Sequence, residues 1–127
     1  VPAADHPSHS IASLLGTIPT LRFVSPAGLR VLAEATTRQS LEIGQSVTRQ
    51  GEHSDAVFLI IDGTFEVLIS QLGQTPDFIR MLKAGESFGE LGVLYDVPRT
   101  ATIRCASPGH LLRIPGDPFL DSLDTAS

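Results

Sequence analysis

Two periods of apolar residues divide this chain. In residues 25–35, Leu29, Leu32 and Ala33 fall on one helical face, and Ser25 followed by Pro26 supplies an N-cap with proline at the first helical position, so a helix is predicted there. A shorter helix is expected over residues 10–15, separated from the second by the Ile18-Pro19 break. From Thr37 onward the spacing becomes strand-like. Short segments at 40–43, 46–49, 56–62, 64–70, 78–82, 100–106 and 110–115 are punctuated by Gly44, Gly51, Asp62-Gly63, Gly73, Gly85 and Pro108-Gly109. Asp62-Gly63 between two apolar runs reads as a hairpin turn, and the polar stretch 71–77 as a second hairpin tip. Many short strands with glycine turns predict an antiparallel sandwich or barrel. Gly116-Asp117-Pro118 then opens a last helix with Phe119, Leu120 and Leu123 apolar.

Residues 88–105, FGELGVLYDVPRTATIRC, hold the candidate chemistry. Gly89 lets the backbone bend and admits a ligand close to main-chain N–H groups. The six residues from Glu90 fit one or two helical turns, whose first N–H groups lack internal partners and suit a phosphate. Arg99 adds a full charge on a planar fork that matches two phosphate oxygens. Glu90 would repel a phosphate, so it must face neutral hydroxyls such as those of a ribose. The residue types together point to a nucleotide with one phosphate and an accessible sugar hydroxyl. Singly, Glu90 could favour a helix N-terminus, Arg99 could be a surface arginine, and Gly92 could reflect tight packing.

This stretch resembles the phosphate-binding cassette of the cyclic nucleotide-binding domain family, F-G-E-[LI], a short helix, then P-R-[AT]-A-[TS]. The matching residues are Phe88-Gly89-Glu90-Leu91 and Pro98-Arg99-Thr100-Ala101-Thr102. The resemblance implies an eight-stranded antiparallel jelly-roll β-barrel flanked by short N- and C-terminal helices. It implies that Glu90 accepts the ribose 2'-hydroxyl, that Arg99 pairs with the exocyclic phosphate oxygens, and that main-chain N–H groups near Leu91, Gly92 and Ala101 complete a cradle begun at Gly89. Leu82 is expected as an apolar wall under the base. Thr100, directly after Arg99, bears on base choice, because its hydroxyl can reach a guanine amine. The expected ligand is cAMP, with cGMP as the alternative, and no cofactor is expected. The family's second C-terminal helix, a lid over the base, has no counterpart before Ser127, which implies an exposed base.

Composition narrows the function classes. The 127 residues suit one domain, expected over 10–127 after a polar linker at 1–9, and the first residue, valine, suggests a module cut from a larger protein. Nine basic residues scattered singly in a chain of formal charge -5 give no stripe to track nucleic acid, so no direct contact with it is expected. The longest apolar stretch, 56–61, is far below the roughly 20 residues of a spanning helix. The single cysteine, Cys105, fits a reducing compartment and reads as a buried thiol, and a cytoplasmic location is expected. His6, His9, His53 and His110 do not supply the histidine pair and third ligand of a jelly-roll metalloenzyme, and no nucleophile elbow or phosphate loop is present. The expected activity is therefore binding rather than catalysis, with a cyclic nucleotide, other domains of a larger protein and a homodimer as expected partners. The rival reading is a jelly roll kept for docking or dimerisation, which would have no need of Glu90 and Arg99 at this spacing.

Overall fold

The structure, a computed structural model, describes residues 7–124, with side chains from residue 11. Helix α1 spans Pro7–Leu15 and so begins inside the stretch expected to be a linker; residues 1–6 and 125–127 lie outside the described residues. A 3-10 turn at Pro19–Leu21 leads to α2, Pro26–Ala35, where the Ser25 hydroxyl accepts from the Gly28 N–H at 3.0 Å as an N-cap should. The strands follow as β1 Thr37–Leu41, β2 Ser46–Thr48, β3 Ala56–Ile69, β4 Asp77–Lys83, β5 Ser87–Phe88 and β6 Thr102–Pro115, with α3, Glu90–Tyr95, between β5 and β6 and α4, Gly116–Asp124, at the end. β5 is only two residues long, too short to leave a periodic signal.

All strand pairs are antiparallel, in the order β1-β6-β3-β4, with β2 also on β6 and β5 also on β3. β3 and β6 are the long members and run against each other from Ala56↔Pro115 to Leu68↔Thr102. Each bends midway. One half of the pair carries β1 and β5, and the other carries β2 and β4, so six strands supply the eight segments of a jelly roll; the sheet does not close on itself.

The expected hairpin at Asp62-Gly63 is replaced by this bend. Both flanking apolar runs pair with β6 and not with each other, and the register shifts around Asp62 and Thr64. A two-residue type I′ turn needs positive φ at both central residues. Here only Gly63 has it, at φ 84°, and the Asp62 carboxylate accepts the His110 N–H at 2.8 Å and meets His110 Nδ1 at 2.9 Å. Those bonds hold the Asp62 carboxyl below its ordinary value, with the His110 side-chain bond the largest cause. Pro108-Gly109 likewise lies inside β6 instead of ending it, because Gly109 crosses Gly63: a Cβ on Gly63 would sit 2.6 Å from the Gly109 Cα.

Alternation along β3 builds two cores. Val57 and Leu59 face the helices, where Leu15, Ile18, Leu21, Leu32, Leu112, Ile114 and Phe119 complete a cluster. Ala56, Phe58 and Ile60 face into the sheet with Phe65, Leu82, Ile103, Cys105 and Leu111. Burial on both faces explains why residues 56–61 read as one unbroken apolar run. Among the described residues no helix is long and apolar enough to cross a membrane.

The bend can be tested with two glycines of similar backbone conformation. Gly73 has φ 72° and open space around it, so Gly73→Ala should cost about 1–2 kcal/mol for the left-handed conformation alone. Gly63→Ala adds the collision with β6 and should cost about 3 kcal/mol or more. Urea denaturation of both variants checks this; equal losses would mean that the strands do not cross closely at Gly63.

Candidate functional site

The stretch between β5 and β6 is shaped by two left-handed residues. Gly89, at φ 90°, turns the chain from β5 into α3, and Asp96, at φ 52°, turns it out again. The first helical bond runs from Val93 N to Gly89 O at 3.4 Å, so the N–H groups of Glu90, Leu91 and Gly92 precede it. On leaving the helix, Val97 N donates back to Gly92 O at 3.1 Å and Pro98 fixes the next step toward Arg99.

Arg99 is the centre of the arrangement. It is only 8 % exposed, and its fork is held by neutral groups: Nη2 donates to Ala56 O at 2.6 Å and Nη1 to Gly89 O at 3.3 Å. Its guanidinium carbon lies 5.7 Å from the centroid of the Phe58 ring. The four ion pairs among the described residues do not include it. Burial therefore lowers its pKa most, the Asp55 and Glu52 carboxylates pull the other way, and Arg113 adds to the lowering. An arginine stays charged through such a shift, and these bonds use two of its five N–H donors. The backbone is pinned as well, with Arg99 N donating to Glu52 O and Gly51 N donating to Arg99 O, both at 2.8 Å.

Gly89 is required by this packing in a way its sequence context did not reveal. A Cβ there would stand 2.6 Å from Arg99 Nη1 and 3.1 Å from Ala56 O. The glycine admits the arginine from within the protein.

Leu82, Gly89, Arg99, Thr100 and Ala101 line one cavity of about 180 Å³ between β4, β5 and β6. The other expected residues stand outside its wall. Glu90 accepts from the Ser87 hydroxyl through Oε2 at 2.7 Å, Leu91 is 67 % exposed, and Gly92 packs on Ser54, whose Oγ a Cβ at Gly92 would strike. Gly92 thus has no room for a side chain on the face toward Ser54.

Residues 38–126 match the family described as "Cyclic nucleotide-binding domain". The chain belongs to this family. A cGMP-dependent protein kinase of Eimeria tenella is 32% identical over 94 residues, 74% of this chain and 9% of that protein. A cAMP-dependent protein kinase regulatory subunit of Yarrowia lipolytica is 36% identical over 89 residues, 70% of this chain and 23% of that one. The chain thus spans less than a quarter of either relative. In fold it is similar to the regulatory domain of Toxoplasma gondii PKA crystallised with cAMP, at a TM-score of 0.85 and 22% identity over 98% of this chain and 48% of that one.

For a cyclic nucleotide-binding domain the cavity also has walls that the cassette motif does not contain, Thr48, Val67, Arg80 and Ile103, beside Phe88, which opens the motif. Arg80 was within reach of sequence reasoning, since alternation puts it on the face of Leu82 two residues on. Val67 follows from the register, opposite Arg80. Phe58, under the guanidinium, and Ser54, behind α3, are joined to the site only by tertiary structure. Arg80 reaches Glu86 at 3.4 Å from the rim.

Cys105, on β6 behind the cavity, is buried as expected; its Sγ donates to Ser107 O at 3.0 Å and burial pushes the thiol up. A raised pKa in the fold contributes stability that is complete below the ordinary thiol value and is lost as pH rises through the folded value. Parent protein should therefore lose more stability between pH 7 and pH 10 than Cys105→Ala does, when both are unfolded in urea. Identical losses would show a thiol that ionises freely.

Proposed function

We propose that this domain is a cytoplasmic regulatory module that binds cAMP or cGMP and passes the signal to other domains of a larger protein. The observation that carries the reading is Arg99, a buried cation held by two carbonyl oxygens at the wall of a cavity, with donors to spare. The kinship with cGMP- and cAMP-dependent kinase chains supports the same ligand class.

The ligand's phosphate takes the remaining Arg99 donors and the backbone around Gly89 and Ala101. The ribose lies toward Glu90, at the first turn of α3. A carboxylate offers about four acceptor sites, so the single bond from Ser87 orients Glu90 without exhausting it. A cavity of about 180 Å³ is smaller than the ~300 Å³ at which whole-ligand pockets begin. It accepts the ribose-phosphate end and leaves the base at the mouth, over Leu82 and Val67 and beside Arg80. Output runs through α3, where Val93 packs close to Gly116 at the start of α4. A ligand shifts that pair of helices only by its differential affinity for their two arrangements.

Calorimetric titration with cAMP and cGMP tests the reading. Arg99→Ala should weaken binding by about 2–5 kcal/mol, the cost of truncating one partner of a desolvated charge pair, and Arg99→Lys should recover part of it. If both variants bind within about threefold of the parent, less than 1 kcal/mol, Arg99 is not the phosphate group. The sugar contact has its own readout: 2'-deoxy nucleotides should bind more weakly by about 1.5–3 kcal/mol, and Glu90→Gln should shrink that gap. Thr100→Ala should weaken cGMP more than cAMP, and an equal loss would assign the hydroxyl to the phosphate or the strand.

A further inference from the structure

Ser54 is buried, 6 % exposed, in the loop between β2 and β3, and no part of the cassette motif contains it. Its hydroxyl donates to the Val97 carbonyl at 2.7 Å, across 43 positions of sequence. Its side chain also fills the space over Gly92, where a Cβ would strike both Ser54 Oγ and Cβ. Ser54 thus touches α3 at its middle and holds the chain just beyond its end. The neighbouring residues of the loop complete the grip, since Gly51 N and Glu52 O bond the Arg99 backbone and Asp55 O accepts Gly116 N at 2.9 Å at the start of α4.

We propose that Ser54 is a positioning residue for Arg99, a latch whose hydroxyl sets ligand affinity by fixing the Val97 carbonyl. From Val97 to Arg99 the only intervening residue is Pro98, whose φ is fixed by its ring, so a fixed carbonyl at 97 sets where the next peptide enters. The guanidinium then meets Ala56 O and Gly89 O without searching. Pre-set geometry of this kind raises affinity by removing the ordering cost at the moment of binding. Without the hydroxyl, the backbone bonds to Gly51 and Glu52 must hold Arg99 alone. The proposal rests on Arg99 as the phosphate-binding group, but part of its test needs no ligand.

The ligand-free arm is amide hydrogen exchange. Ser54→Ala should speed exchange at the Arg99 and Gly51 amides at least about tenfold while leaving Leu59, in the middle of β3, unchanged. Unchanged exchange at Arg99 would overturn the latch even if the domain binds no nucleotide. In calorimetry with cAMP and cGMP, Ser54→Ala should raise Kd about three- to tenfold, the range for one lost hydrogen bond. In an Arg99→Ala background the same change should have no further effect beyond about twofold, because its route is then gone. A full additional loss there would show a merely structural role.

A second pair separates packing from the hydrogen bond. Gly92→Ala alone should drive α3 off the loop and lower the melting temperature. Combined with Ser54→Gly, which vacates the space, the melting temperature should return toward the parent while Kd stays at the Ser54→Ala level. Recovery of both together would reduce Ser54 to a space-filler and overturn the proposal. Failure of the parent to bind either nucleotide would instead overturn the functional reading, and the exchange result would still decide on Ser54.

Discussion

The hydrogen bonds from the Arg99 guanidinium to the carbonyl oxygens of Ala56 and Gly89 are what the site depends on. A buried cation without an ion partner among the described residues is costly, and neutral carbonyls offset only part of the lost hydration. The fold meets that cost before any ligand arrives. Position 89 has no side chain because the guanidinium needs the room, Phe58 lies across from it, and the loop at 51–52 clasps the backbone from the other side. An anion reaching this cavity meets a charge already stripped of water and already aimed, which is where electrostatic interactions are strongest.

The two bent strands make this placement possible. β3 begins at Ala56, which supplies one of the two carbonyls, and its outward residues Val57 and Leu59 are the floor on which the helices rest. Its second half carries Val67 to the wall of the cavity. One strand therefore joins the charge, the cavity and the helical layer. The crossing of Gly63 and Gly109 lets it serve both halves of the barrel without a break. α4 is tied to the same region through Gly116, which bonds Asp55 O beside the start of β3.

How much of this could be read from the sequence depended on the range of the interaction. The cassette was legible because its demands are local: a turn, a helix and a charged strand entry lie within 18 consecutive positions, 88–105. An antiparallel sandwich or barrel was legible from the period of the strands and the spacing of the glycines, and the resemblance of the cassette narrowed it to a jelly roll. Asp62-Gly63 misled because the residues that make a hairpin turn also make a bulge, and only the partner strand decides between them. The partner on β6 is distant in sequence, as with Asp62 and His110, 48 apart. Glu90, Leu91 and Gly92 are contiguous with the cavity wall in sequence but not part of it, because a helix turns its residues to different sides. Ser54 and Phe58 left no trace at all, since a serine in a polar turn and an aromatic in an apolar strand are unremarkable until folding sets them beside Arg99.

The central claim is that this domain recognises a phosphate through Arg99, and its most direct test is to remove the phosphate from the ligand. Calorimetry should compare cAMP with adenosine and cGMP with guanosine on the unaltered protein. Binding through Arg99 requires the cyclic nucleotide to bind at least about 30-fold more tightly than its nucleoside, the equivalent of about 2 kcal/mol for a desolvated charge contact. A nucleoside bound as tightly as its cyclic nucleotide would contradict it.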